Sequence, residues 1–188
     1  MKKLYIYIHG FASSGQGGKA QLFKTHYKDE HYLCPSLSYV PALAIDTLEN
    51  IIESFHKSYE IILLGSSLGG FYSLYLSQKY DLRAVLINPA MVSFDTLGRY
   101  EGFNTNFFDG SQFEMRAEHL DFLRMLYIDE IENQSKLLLM LQKGDEVLDY
   151  RLALKRLDRA AVILEEGGNH SFDGIEAHFE TIDAFIGR

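Results

Sequence analysis

The chain has 188 residues, of which 47% are hydrophobic and 23% are charged, and this length and balance predict one globular domain over residues 1–188. Its formal net charge of −8 argues against nucleic acid and anionic membrane surfaces as partners, because both repel an acidic protein. Cys34 is the only cysteine, which excludes an intrachain disulfide.

The N-terminus begins Met1-Lys2-Lys3, but the apolar run that follows, residues 4–8, is too short for the core of a signal peptide. No stretch approaches the ~20 apolar residues that a membrane-spanning helix needs. We therefore expect a cytoplasmic protein with no membrane partner.

Six short apolar runs predict the strands of a sheet. Runs that are apolar throughout are typical of parallel strands covered on both faces. The predicted strands are residues 4–8, 31–34, 60–64, 83–87, 137–141 and 161–164. The second run is the weakest of the six.

Amphipathic patterns separate most of these runs and predict helices. Each has apolar residues at the spacing of one helix face, and Pro41 suits a first helical turn. The predicted helices are residues 41–56, 68–79, 147–157 and 175–186. Alternating strands and helices predict an α/β fold: a mainly parallel sheet of about six strands, with helices on both faces.

Two stretches interrupt the alternation. Residues 11–19 are rich in glycine and serine and predict a loop after the first strand. Residues 88–110 contain one proline and three glycines without a clear period. The capping-box pattern Ser111-Gln112-Phe113-Glu114 then predicts a helix over residues 111–130. Residues 88–130 are therefore expected to form a short insertion.

A serine on a strand-to-helix turn is the strongest chemical signal. Gly65-Ser66-Ser67-Leu68-Gly69 fits G-x-S-x-G, follows the third predicted strand and opens a helix. In that setting the serine sits on a strained turn above the sheet edge. Ser67 is therefore the predicted nucleophile. The alternatives are a tight turn without chemistry, and Ser66, which occupies an x position.

Among seven histidines, His170 is the predicted general base. It follows Gly167-Gly168-Asn169 after the last predicted strand, and such a turn can carry an imidazole back over the sheet towards Ser67. Imidazole can take the serine proton and later return one to the leaving group. The remaining histidines apart from His9 are expected to be surface or packing residues: His26, His31, His56, His119 and His178.

Asp145 is the predicted acid, because it is the carboxylate nearest to the end of the fifth strand. There it can accept the Nδ1 proton of His170 and stabilise the imidazolium. Two alternatives stay open. Asp149 lies about one turn into the next helix, and Asp95 lies past the fourth strand, a position that can also supply the acid.

His9-Gly10-Phe11 ends the first predicted strand, where an oxyanion hole can form. The backbone N–H groups of Phe11 and Leu68 are the predicted donors to the oxyanion. His9 is expected to hold this loop by a hydrogen bond and, with Gly10, to border the substrate pocket. A plain glycine-containing turn is the alternative.

The aromatic part of the insertion, residues 91–113, is expected to form part of the acyl pocket wall. Its pocket candidates are Phe103, Phe107 and Phe108. Because the insertion is short for a lid, we expect an open site that suits small or short-chain acyl groups.

The sequence does not match the motifs that bind phosphate groups, dinucleotides or zinc. Gly18-Lys19 looks faintly like a phosphate loop, but G-x-x-x-x-G-K-S/T needs Gly in place of Ser13 and Ser or Thr in place of Ala20. No G-x-G-x-x-G follows a strand, and no cluster has the spacing of zinc ligands. We therefore expect neither a metal nor an organic cofactor.

At these residues the chain resembles the bacterial YqiA-type esterases, a compact branch of the α/β-hydrolase superfamily. The matching segments are His9-Gly10-Phe11-Ala12-Ser13-Ser14, Gly65-Ser66-Ser67-Leu68-Gly69-Gly70, Asn88-Pro89-Ala90, Gly144-Asp145-Glu146-Val147-Leu148-Asp149-Tyr150 and Glu166-Gly167-Gly168-Asn169-His170. The resemblance implies a sheet of order 4-3-5-6-7-8 in the labels of the full fold. It also implies esterase or thioesterase activity, with Ser67, Asp145 and His170 at the triad positions.

The sequence therefore predicts a serine hydrolase acting on a small-molecule ester or thioester, as a monomer or homodimer. The chain order Ser67, Asp145, His170 is the order of α/β-hydrolase triads. Alternatives are an acyltransferase or peptidase with the same triad, a non-catalytic binding protein of this fold, and a structural partner that dimerises through the helix predicted at residues 111–130.

Overall fold

The structure is a computed structural model that describes residues 1–188. The central sheet contains β1 (Lys2–Ile8), β2 (His31–Leu33), β3 (Tyr59–Ser66), β4 (Arg83–Ile87), β7 (Leu137–Gln142) and β8 (Ala161–Glu165), while β5 (Gly102–Thr105) and β6 (Gln112–Met115) form a separate hairpin. The order of the strands in the central sheet is β2-β1-β3-β4-β7-β8, and all its neighbouring strands are parallel. The six predicted strands and their order are confirmed.

Helices cover both faces of the sheet. They are α1 (Gly18–His26), α2 (Pro41–Phe55), α3 (Leu68–Tyr80), α4 (Ser93–Gly98), α5 (Ala117–Met125), α6 (Tyr150–Arg156) and α7 (Phe179–Ile186). None of these helices combines the length and the apolar character that crossing a bilayer requires.

Strand β3 shows why the predicted strands are apolar throughout. Ile61 and Leu63 contribute to one hydrophobic core, whereas Ile62 and Leu64 contribute to the other. Successive side chains of a strand point to opposite faces, so a strand between two helical layers needs apolar residues at every position. The carboxyl ends of these strands meet at one edge, where the candidate site lies.

Two helix predictions have wrong boundaries, and two helices, α1 and α4, have no counterpart in the prediction. Helix α6 begins at Tyr150 and not at residue 147, because Asp149 caps it by accepting the Arg151 N–H at 3.0 Å. Residues 175–178 form a 3₁₀ turn before α7. The start of α1 at Gly18 lies within the glycine- and serine-rich residues 11–19, whose composition predicts a loop.

The helix predicted at residues 111–130 is wrong at both ends, because α5 covers only Ala117–Met125. Strands β5 and β6 pair antiparallel, and Phe113 and Met115 alternate into the buried face of the hairpin. Helix α5 begins only at Ala117. The capping-box pattern is local, and pairing with β5 together with burial of two large side chains outweighs it.

Candidate active site

Ser67 lies on the turn between β3 and α3, with φ 56° and ψ −118°. Residues other than glycine adopt positive φ rarely, so the conformation has to be held by its surroundings. The Ser67 N–H donates to the Ile87 carbonyl at 3.0 Å, and the Ser67 carbonyl accepts the Ala90 N–H at 3.0 Å. The end of β4 and the loop after it therefore fix the serine turn.

The two glycines of the pattern allow this turn to pack against its neighbours. A Cβ atom on Gly65 would overlap the carbonyl oxygen of Gly69, and one on Gly69 would overlap the carbonyl oxygen of Ile8. Both positions thus exclude any side chain, for the steric reason that the motif implies.

His170 joins Ser67 to Asp145. Its Nε2 atom lies 3.0 Å from Ser67 Oγ, and its Nδ1 atom lies 2.8 Å from Asp145 Oδ2. With the proton on Nδ1, the ring donates to Asp145 and accepts the hydrogen bond of the serine hydroxyl. The structure therefore brings the three predicted residues together in one hydrogen-bonded chain.

Asp145 is held as a carboxylate. Its side chain is only 2% exposed, and Oδ1 accepts the backbone N–H groups of Val147 and Leu148, each at 2.8 Å. Burial raises the pKa of Asp145, but hydrogen bonds from His170 and from the two amides outweigh burial and bring the pKa below its usual value. The group is therefore ionised at neutral pH.

The other two candidate acids lie elsewhere. Asp149 caps α6, as described above, and Asp95 lies exposed in the first turn of α4. Neither forms a hydrogen bond with His170, whose ring nitrogens contact only Asp145 and Ser67. Of the three carboxylates, only Asp145 contacts His170.

Asn88 holds the loop that carries His170, a role that the sequence did not indicate. Its Nδ2 donates to the carbonyls of Asn169 at 3.0 Å and His170 at 3.2 Å, and its Oδ1 accepts the Gln142 N–H at 3.0 Å. The available signal was Asn-Pro directly after a predicted strand, which marks a turn. One amide thus links the ends of β4 and β7 to the histidine loop.

Neither of the two predicted oxyanion donors has a hydrogen-bond acceptor within the chain. Phe11 N–H makes no hydrogen bond within the chain, and Leu68 is the first residue of α3, where an N–H has no acceptor inside the helix. Gly10 lies against Ser67, since a Cβ there would be 3.2 Å from Ser67 Cβ.

His9 fixes this loop as expected of a structural residue. Its Nδ1 donates to the Gly10 carbonyl at 2.9 Å, and its Nε2 accepts the Leu37 N–H at 2.9 Å. Burial lowers the pKa of His9, although the Gly10 hydrogen bond opposes this. A neutral ring matches both contacts, because only the neutral form can accept.

A cavity of about 820 Å³ opens beside Ser67 and His170, and Gly10, Phe11 and Phe107 border it. The Phe107 side chain lies at its mouth and is 78% exposed.

A second cavity of about 410 Å³ lies across the Gly10–Phe11 loop, and His9 and Phe108 border that one. Phe103 borders neither cavity. The prediction for Phe103 is wrong, because it lies on the outer face of β5, 83% exposed.

Lys19 also borders the larger cavity, and the sequence prediction missed it. Its Nζ donates to Ser66 Oγ at 2.8 Å. In the sequence the Gly18-Lys19 pair matches only part of a phosphate loop. The fold brings Lys19 to the site because α1 lies beside the end of β3, where Ser66 accepts its hydrogen bond.

The parallel sheet, the strained serine turn and the strand order define an α/β-hydrolase fold. Solved structures agree: the α/β hydrolase domain-containing protein 10 from mouse has TM-score 0.77 and 20% identity, over 97% of this chain and 89% of that one. A monoacylglycerol lipase of Paleococcus ferrophilus has TM-score 0.70 and 14% identity, over 98% and 94%.

The family described as "Uncharacterised protein family (UPF0227)" matches residues 4–187, and the chain belongs to it. A UPF0227 protein of Pectobacterium carotovorum is 22% identical over 190 aligned positions, which cover 97% of this chain and 98% of the relative.

Proposed function

We propose that the chain is a serine hydrolase that cleaves a carboxylic ester or thioester through an acyl-enzyme on Ser67. The observation that carries the proposal is the hydrogen-bonded chain from Asp145 through His170 to Ser67, beside a cavity of a size that holds small molecules. A structural neighbour that is named a monoacylglycerol lipase supports the same reaction class.

In the acylation step, Ser67 Oγ attacks the carbonyl carbon while His170 Nε2 takes the hydroxyl proton. Asp145 accepts the hydrogen bond from Nδ1 and stabilises the imidazolium. The N–H groups of Phe11 and Leu68 receive the oxyanion of the tetrahedral intermediate. When the intermediate collapses, the alcohol or thiol leaves with the proton that His170 returns.

In the deacylation step, water attacks the acyl-enzyme while His170 takes one of its protons. The carboxylic acid leaves and the Ser67 hydroxyl is restored. Because no other acceptor is required, the free acid is the expected product; transfer of the acyl group to an added amine or alcohol would indicate the acyltransferase alternative.

Hydrolysis of 4-nitrophenyl esters and of thioesters with increasing acyl length tests the proposal. We expect turnover of short acyl groups, and Ser67→Ala should lower kcat by at least about ten-thousandfold. Ser54→Ala is the matched control, because its hydroxyl only bonds the Asn50 carbonyl on the exposed face of α2. A Ser67→Ala protein with wild-type turnover would contradict the proposal.

A further inference from the structure

Lys19 places an ammonium group in the wall of the catalytic cavity without a counterion. Its one hydrogen bond goes to the neutral hydroxyl of Ser66, the residue before the nucleophile. No carboxylate lies within ion-pair distance of Nζ. Because Lys19 borders the cavity and is otherwise partly buried, an anion bound in the cavity can reach its ammonium group.

The two carboxylates that attract Lys19 form their hydrogen bonds with other groups. Asp145 already receives hydrogen bonds from His170, Val147 and Leu148. Asp173 lies exposed at the cavity rim and accepts from Asn169 Nδ2 at 2.7 Å. Both act on Lys19 only through longer-range attraction.

The positive charge of the Lys19 ammonium group is therefore not balanced by a neighbouring anion in this structure. Burial lowers the pKa of Lys19 to about 8, and the attraction of Asp173 and Asp145 only partly opposes burial. A partly desolvated cation without an anion is unfavourable, and the arrival of a carboxylate removes that penalty.

The other charges of the cavity wall lie nearer to solvent. Arg99 is exposed, with its guanidinium 5.1 Å from the ring centre of Tyr100, and Glu176 is exposed at the rim. Lys19 is thus less exposed than Arg99, and its ammonium group lies at the end of β3, next to the residue that precedes Ser67.

We propose that Lys19 binds a carboxylate of the substrate, so that the site takes esters or thioesters that carry a second, anionic group. This inference rests on the proposed function and specifies its substrate class. The ammonium forms a charge-assisted hydrogen bond with the substrate carboxylate while Ser67 attacks the ester carbonyl. The carboxylate belongs either to the acyl part or to the leaving group.

Two pairs of substrates distinguish a carboxylate in the acyl part from one in the leaving group. In each pair, one substrate carries the carboxylate and the other carries a neutral amide of the same shape. For the acyl part, the pair is the mono-4-nitrophenyl ester of adipate and that of adipamate. For the leaving group, the pair is 4-carboxyphenyl butyrate and 4-carbamoylphenyl butyrate. We expect kcat/KM to favour the carboxylate by about tenfold or more in one pair, which equals about 1.4 kcal/mol.

Lys19→Gln should reduce that preference to about one, because glutamine can keep a hydrogen bond to Ser66 but carries no charge. Lys19→Arg should keep a preference for the carboxylate. Lys24→Gln is the matched control: it removes the same charge from the exposed last turn of α1 and should leave the preference intact. Thermal unfolding of each variant shows whether it is folded.

No preference in either pair, or a preference that survives in folded Lys19→Gln, would overturn the inference. The wild-type comparison decides the first outcome even if Lys19→Gln does not fold. Turnover of the neutral esters without charge preference would leave the hydrolase proposal standing.

If no ester is cleaved, the hydrolase proposal fails, and calorimetry then tests Lys19 separately. Monomethyl adipate or 4-hydroxybenzoate should bind the wild-type protein more tightly than its neutral amide, methyl adipamate or 4-hydroxybenzamide, and the difference should vanish in Lys19→Gln. Equal binding of acid and amide would overturn the inference.

Discussion

The backbone N–H of Phe107 donates a 2.8 Å hydrogen bond to the carbonyl of Ala12, which ties the tip of the β5–β6 hairpin to the loop that carries Phe11. Ala12 has φ 51°, a conformation that needs external support in a residue other than glycine. Asn106 adds a second tie, since its Nδ2 donates to the Ser13 carbonyl at 3.2 Å. The insertion thus supports the loop that supplies a proposed oxyanion donor.

Removing the hydrogen bond from Asn106 to the Ser13 carbonyl should slow catalysis more than it weakens substrate binding. We expect Asn106→Ala to lower kcat by about tenfold with a smaller change in KM, because a displaced oxyanion donor acts mainly in the transition state. Asn104→Ala is the control in the same hairpin, because its side chain bonds only Tyr100 and Gly102 carbonyls. Equal losses in both variants would argue against a positioning role for Asn106.

A methyl group on Gly10 should disturb the nucleophile. Gly10→Ala places a Cβ 3.2 Å from Ser67 Cβ and 3.4 Å from the Ser66 carbonyl oxygen, so we expect kcat/KM to fall by about tenfold or more. Gly98→Ala, at the end of α4, meets no atom within 4 Å and should keep the wild-type rate. Steady-state kinetics on a neutral ester measure both, and an unimpaired Gly10→Ala would refute this steric account.

The two carboxylates near β7 should have separable roles. Asp145→Asn should lower kcat by about ten-thousandfold, because an amide cannot stabilise the imidazolium and favours the wrong tautomer. Asp149→Ala removes a helix cap and should cost about 1 kcal/mol in the free energy of unfolding, with kcat retained. Denaturant unfolding combined with kinetics distinguishes them; a large rate loss in Asp149→Ala alone would reverse the assignment of the acid.

The strands of the central sheet could be predicted because their sequence signal extends over several consecutive residues. A strand such as β3, buried on both faces, needs apolar residues over its whole length, and the glycines around Ser67 have steric causes that leave a fixed spacing. The position of His170 after the last strand follows from the same frame, since the carboxyl ends of parallel strands share one edge.

The parts that the sequence did not predict depend on contacts between distant segments. The β5–β6 hairpin forms because Phe113 and Met115 find a buried face, which overrides a local capping pattern at Ser111. The aromatic character of Phe103 alone predicts a place in the pocket, but its position in β5 directs the side chain to the exposed face. The sequence around Lys19 and Asn88 indicates at most a turn and does not predict a place at the site; the packing of α1 and of the β4 loop brings them there.

The carboxylate preference inferred for Lys19 should depend on pH. The ammonium form binds the carboxylate, and burial brings the pKa of Lys19 to about 8, so the preference should be present below that pH and decline as pH rises through it. The other titratable groups that border the cavity are Tyr7, Arg99, Tyr100, His170, Asp173 and Glu176, and Asp145 acts on Lys19 only through longer-range attraction.

The ratio of kcat/KM for each carboxylate substrate to that of its amide isostere measures this effect. The ratio cancels the ionisations that both substrates share, such as that of His170. Lys19→Arg should keep the ratio constant over the same range, because a guanidinium stays protonated. A wild-type ratio that is constant across pH 8 would contradict the prediction.

Reaction with a fluorophosphonate probe, followed by tandem mass mapping, tests most directly whether Ser67 is a nucleophile activated by His170. The account predicts a single adduct on Ser67, no adduct in Ser67→Ala, and labelling slowed by about a thousandfold or more in His170→Ala. An adduct on Ser66, or a folded wild-type protein that remains unlabelled, would contradict it.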